Sequence, residues 1–227
     1  MKKEFRINAI VIGLLFITTM LAGMVDSYFV APKLSIPLSG LHQIQGTVLL
    51  GVFSVFFMAI GIVGIATTLF PVVRRHNEAI AITYVGFRIV ECGLLVLGAI
   101  LYLFLLSAGS VLLSGPLLAS LDPTLIELAV KMKLDAFQLS MVILGIGSTL
   151  LCCSFYRSQV IPRWLSIWGI LGYVLLFLSA VLDLLGIVDT INGIGALMYV
   201  PGGLWELLAF PIWLFIKGFN PITASAR

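Results

Sequence analysis

Long apolar runs broken by short polar stretches dominate the pattern along the chain. Six runs, about residues 7–30, 45–72, 79–106, 134–156, 162–187 and 195–216, are each long enough to cross a bilayer, which takes about 20 apolar residues at 1.5 Å per residue. The punctuation between them is consistent with helix ends. Pro32 and Pro37 follow the first run, Asn77 separates the second from the third, and Pro162 opens the fifth at a position favoured in a first helical turn. Gly218, Asn220 and Pro221 close the sixth. The pattern predicts an all-α fold: a six-transmembrane-helix bundle forming one integral membrane domain over residues 1–227. The longest connection, 109–133, contains Pro116 and Asp122-Pro123-Thr124, where Asp122 or Thr124 could cap a short surface helix through Glu127 to Lys131. This stretch reads as an outer connector, with a lid over a cavity as the alternative.

Composition agrees with the pattern. Hydrophobic residues make up 61% of the chain, charged residues 10%, and mean hydropathy is +1.18, against roughly 25% charged residues in soluble domains. The lipid bilayer is therefore the expected partner. Net charge is only +3, and no basic cluster is long enough to track a phosphate backbone, which argues against nucleic acid. The apolar core behind Lys2, Lys3 and Arg6 is longer than that of a signal peptide and lacks a small-residue cleavage pair before Asp26, so it reads as a retained helix. With the amino terminus inside, Lys2, Lys3, Arg6, Arg74, Arg75, Arg157, Arg163, Lys217 and Arg227 fall on the cytoplasmic side, against Lys33, Lys131 and Lys133 outside. The positive-inside rule then places both termini in the cytoplasm. Trp164, Trp168 and Trp213 near the inner ends fit anchoring or packing at the interface.

Candidate chemistry is sparse. Cys92, Cys152 and Cys153 lie in apolar stretches and imply no disulfide. His42 and His76 are not spaced from any cysteine as a metal-ligand set would be, so no metal is expected. No nucleotide loop, zinc-protease motif or nucleophile elbow is present, so no cofactor and no catalytic residue are assigned.

What stands out is charge at membrane depth. Arg88 and Glu91 lie ~13 and ~18 Å into the third span. An ionisable group facing hydrocarbon costs at least ~3 kcal/mol, so both are expected to face the interior and pair there. They share a helix face with Tyr84, Leu95, Gly98 and Tyr102. Glu206 falls at matching depth in the sixth span, on a stripe with Tyr199, Gly203, Phe210 and Trp213. If the third and sixth helices are neighbours, Arg88 meets both carboxylates. Pro201-Gly202-Gly203 just before Glu206 predicts a kink or break in the helix, and a break at membrane depth occurs where backbone is buried in protein or lines a wet cavity. The ligand-binding candidates are therefore Arg88, Glu91, Glu206 and Tyr84. The competing reading is a static network that fixes helix register. A second acidic set, Asp26, Asp135 and Asp183, gathers toward the outer face, either as solvated helix ends or as a cation site, and Gln138 fits both.

The order of motifs resembles a known family. The run 71–78 (PVVRRHNE) leading to 84–91 (YVGFRIVE), then 156–158 (YRS) with 161–169 (IPRWLSIWG), and Trp205-Glu206 through Trp213 to 217–221 (KGFNP) are similar to the signature segments of the domain of unknown function 4386 family. The resemblance runs from the first helix to Pro221 and is weakest over 109–133. It implies a small, polytopic protein of the bacterial inner membrane, puts Arg88, Glu91 and Glu206 within family motifs, and names no reaction. Three function classes stay open on the residues: binding or transport of a small polar or ionic ligand at midplane, an accessory or sensory scaffold, and an intramembrane enzyme using Glu91 or Glu206 as acid or base.

Overall fold

A computed structural model describes residues 2–35, 43–113, 123–190 and 193–220. Among them secondary structure is entirely helical. Lys2–Met24 forms α1, continued by a π-helical turn, Val25–Val30, and a 3-10 turn, Ala31–Ser35. Four long helices follow: α2 (Gln45–Arg74), α3 (Glu78–Leu113), α4 (Pro123–Ser158) and α5 (Arg163–Leu184). The sixth span comprises α6 (Ile194–Leu204), a π turn (Trp205–Ala209) and α7 (Phe210–Ile216). All six spans are long and apolar enough to cross a membrane. Their outward residues, such as Phe53, Phe56 and Phe57 on α2 or Leu171 and Leu178 on α5, are large and apolar, as a lipid-facing surface requires.

Local chemistry sets the helix ends at one pole of the bundle. The Asn77 side chain accepts the Ile80 N–H at 3.0 Å and caps the start of α3, allowing a tight reversal from α2. Gly218, at φ +70°, closes α7 in the left-handed conformation, and its N–H reaches the Leu214 carbonyl at 3.1 Å. Asn220 then ties this end to the α4–α5 turn through the carbonyls of Gln159 and Val160, while Arg6 donates to the carbonyls of Phe215 and Ile216. In the α2–α3 turn, burial and then the Arg75 charge push the His76 imidazole below its usual range.

The connection expected over 109–133 is largely helix. Helix α3 runs on to Leu113, and α4 begins at Pro123, so Glu127 to Lys131 belongs to a continuous α4 and not to a separate surface helix. Proline at the first helical position needs no N–H partner there. Ile126, Ala129 and Lys133 continue the buried stripe of α4 toward its start, and this packing carries the helix beyond the apolar run. Pro37, His42, Pro116, Asp122 and Pro221 lie outside the described residues.

Each span packs on its neighbours in sequence, and the sixth closes the ring by packing its π turn and α7 against α1. The third and sixth spans therefore stand across the ring from one another, not side by side. Buried side chains divide into two clusters. The cluster at the pole holding both chain ends draws on all six spans, with Phe16, Phe155, Trp205 and Phe210 at its centre. Trp205 stacks on Phe210 at 4.4 Å and donates to the Leu165 carbonyl at 2.8 Å. The cluster at the far pole draws only on the first four spans. The unfilled volume is lined by members of both clusters, and α5 and α6 add no residue to the second.

Candidate functional site

That volume is a cavity of about 330 Å³ inside the ring. Arg88, Glu91 and Glu206 all line it, together with Asp26, Lys133, Gln138, Thr190 and Tyr199 and a predominantly apolar wall that includes Phe16, Ile62, Met141, Leu144 and Leu176.

Helix α3 presents the face expected from its spacing: Tyr84, Arg88, Glu91, Leu95 and Tyr102 are all buried. Arg88 Nη1 donates to both Glu91 oxygens, at 3.0 and 3.2 Å. Nε donates to the Tyr84 hydroxyl at 2.9 Å, and Nη2 donates to Ser148 Oγ of α4 at 3.2 Å. The guanidinium also lies 5.1 Å from the Tyr84 ring centre. Such a fork of fixed donors suits several acceptors held at different angles. Tyr84 buttresses Arg88 from behind and does not line the cavity.

Glu206 does not join this network. Its Oε1 accepts the Tyr173 hydroxyl of α5 at 2.8 Å, and among the described residues none of the ion pairs includes it. The expected contact between Arg88 and Glu206 is absent because their helices face each other across the cavity. Glu206 keeps some accessible surface for the same reason: it opens onto the void.

The helix is not interrupted at Pro201-Gly202-Gly203; α6 continues through them. The two short residues nearest the contact serve packing instead. A Cβ on Gly172 of α5 would lie 2.8 Å from the Gly202 Cα, so only glycine permits this approach. Irregularity falls a turn later, where Trp205–Ala209 winds as a π turn and Phe210 N–H bonds back to the Trp205 carbonyl. Pro211 follows directly, offers no N–H to Leu207 and crowds that carbonyl with its ring. The proline that matters is thus Pro211, and the π turn that accommodates it carries Glu206.

At the far pole the structure corrects the expected acidic set. Asp26 is 1% exposed and is no solvated helix end. Lys133, counted above as an outer-loop residue, is 2% exposed and pairs with Asp26 at 2.7 Å. The Tyr102 hydroxyl donates to the other Asp26 oxygen at 2.5 Å, and the Lys133 ammonium lies 4.7 Å from the Tyr102 ring centre. Asp26 also sits in a π turn, a distortion frequent at functional sites. Asp183 instead holds the loop after α5 by accepting the Thr190 N–H and hydroxyl. Thr190 bonds in turn to Gln138, whose oxygen accepts from Tyr199 at 2.9 Å. Asp135 is partly exposed and does not line the cavity, and among the described residues no group of three histidine, cysteine or carboxylate side chains converges. Sequence reasoning missed Lys133 and Thr190 as cavity residues, while Gln138 and Tyr199 entered it only as neighbours of the acidic groups. For Lys133 a signal was its recurrence with Ile126, Ala129 and Ala136 on the buried face of α4.

Fold and cavity define a polytopic helical membrane protein with a polar-ended internal chamber. Over residues 11–218 the chain matches the family described as Domain of unknown function (DUF4386), and it belongs to that family. Comparison with curated proteins and with solved structures finds no match.

Proposed function

We propose that this multi-pass membrane protein binds a small polar or ionic ligand in its central cavity, as a binding protein or transporter. The carrying observation is that three charged side chains, Arg88, Glu91 and Glu206, line one void, the first two buried in its wall and Glu206 open to it. Ligand pockets are typically apolar chambers of 300 Å³ or more with a few placed polar groups. Arg88 and Glu91 form the fixed wall of the site, and Glu206 is its adaptable member. Tyr84 orients Arg88. We place the protein in a bacterial inner membrane with both termini cytoplasmic. With Lys133 buried, basic residues among those described divide eight to two between the poles, which favours that orientation.

The test is thermal stabilisation of the purified protein by a panel of amines, amino acids, carboxylates and monovalent ions, with Glu206→Gln alongside. A stabilising compound whose effect is lost in the variant supports the reading; a response identical in both removes Glu206 from the site. A second reading, a scaffold for another membrane protein, is favoured by the full hydrogen bonding of Arg88. It predicts no stabilisation by any member of the panel.

A further inference from the structure

Charge balance within the cavity narrows the ligand. Lys133 is matched by Asp26 and Arg88 by Glu91, each in direct contact. Glu206 is the carboxylate left over: among the described residues its one hydrogen bond is from the neutral hydroxyl of Tyr173. The chamber therefore carries one acidic group in excess, in surroundings where an unmatched charge is costly. The most economical partner is a cation.

The wall and the entrance add a second requirement. Between the two ion pairs the lining is mostly hydrocarbon, with Phe16, Ile62, Met141, Leu144 and Leu176 in the wall beside the polar Gln138, Thr190 and Tyr199, so a ligand occupying it must present apolar surface. At the pole of the chain ends, α1 packs tightly on the sixth span through the π turn and α7; toward the far pole, α6 packs on α5 and does not pack along α1. Residues on both flanks of the resulting gap, Gly23 and Ser27 on one side and Ala196 and Val200 on the other, line the same cavity. Beside the gap the tip of Met20 reaches Gly203, where an added Cβ would lie 3.0 Å from its terminal methyl. The loosest seam of the ring thus lies between α1 and α6, with a flexible methionine beside it.

We propose that the ligand is a lipophilic cation, an amine or quaternary onium group carrying hydrocarbon, which enters from the bilayer between α1 and α6. Its charge lies against Glu206 and its hydrocarbon lies along the apolar wall. This rests on the cavity-binding reading above and specifies its ligand class.

The experiment is calorimetric titration of the full chain in maltoside micelles with three probes. These are tetraphenylphosphonium, tetramethylammonium (charge without hydrocarbon) and hexanesulfonate (hydrocarbon with the opposite charge). Tetraphenylphosphonium is expected to bind at one per chain, at least about tenfold tighter than either other probe, and Glu206→Gln is expected to weaken it at least about tenfold. Gly203→Phe, which fills the gap, is expected to slow its association. If hexanesulfonate binds best and Arg88→Gln abolishes that binding, the cation assignment is overturned while the cavity reading stands. If no probe binds a protein that still melts cooperatively, both fall. Should Glu206→Gln not fold, displacement of tetraphenylphosphonium by hexyltrimethylammonium supports the assignment, and displacement by hexanesulfonate alone overturns it. An unchanged association rate in Gly203→Phe sinks the sideways route.

Discussion

The cavity has a charge centre at each end, and the two are built from the same parts in opposite ways. Each joins a cation, a carboxylate and a tyrosine, with the cation over the tyrosine ring. Near midplane the pair is local: Arg88 and Glu91 are one helical turn apart on α3, and Tyr84 is a turn earlier. At the far pole the pair is remote, Asp26 and Lys133 being 107 positions apart on the first and fourth spans, which stand across the ring from each other. A local pair orients side chains on a helix that would form anyway. A remote pair is a strut that fixes where two helices stand. Arg88 keeps other acceptors if its carboxylate is lost, whereas among the described residues the other partners of the Lys133 ammonium are aromatic faces.

Breaking the strut should therefore cost most. Asp26→Ala leaves a buried ammonium unmatched, and a loss of about 3–5 kcal/mol is expected in reversible unfolding in mixed micelles. Combining it with Lys133→Met should restore a large part of the loss, because two apolar groups replace two charges; no recovery in the double variant would mean that the pair is not what holds α1 to α4. Glu91→Ala should cost less, about 2–3 kcal/mol, since Arg88 still donates to Tyr84 and Ser148 and faces a polar cavity. Equal losses in Asp26→Ala and Glu91→Ala would erase the contrast between remote and local pairing. The smallest effects are expected at the tyrosines. Removing the hydroxyl in Tyr102→Phe takes one charge-assisted donor from Asp26, about 1–2 kcal/mol, and Tyr84→Phe takes one acceptor of several from Arg88 and should cost less. A larger loss at Tyr84 than at Tyr102, read from paired melting curves, would reverse the ranking.

How far these features could be read in advance follows from sequence distance. Spacing alone placed Tyr84, Arg88, Glu91, Leu95 and Tyr102 on one buried face, because an α-helix returns to the same side every three or four residues and lipid will not take an unpaired charge. The stops at Asn77 and Gly218 were equally legible, since their chemistry acts on the nearest backbone. Mistaken expectations came where partners are distant. Asp26 read as a hydrated helix end because nothing nearby announces Lys133. Pro201-Gly202-Gly203 read as a break because the tight crossing with Gly172 is invisible from one strand of sequence, and the π turn before Pro211 is one extra residue in a helix whose composition barely changes.

By itself, then, the sequence determined six membrane-length helices, the inward face of α3 and the presence of charge at midplane, all properties of single helices meeting hydrocarbon. Only the tertiary structure decided the ring order, which sets Glu206 opposite Arg88 with a void between them and brings Lys133 to Asp26. The reason is physical: the direction a helix face points is set within a few residues, whereas which faces meet depends on the packing of all six helices at once.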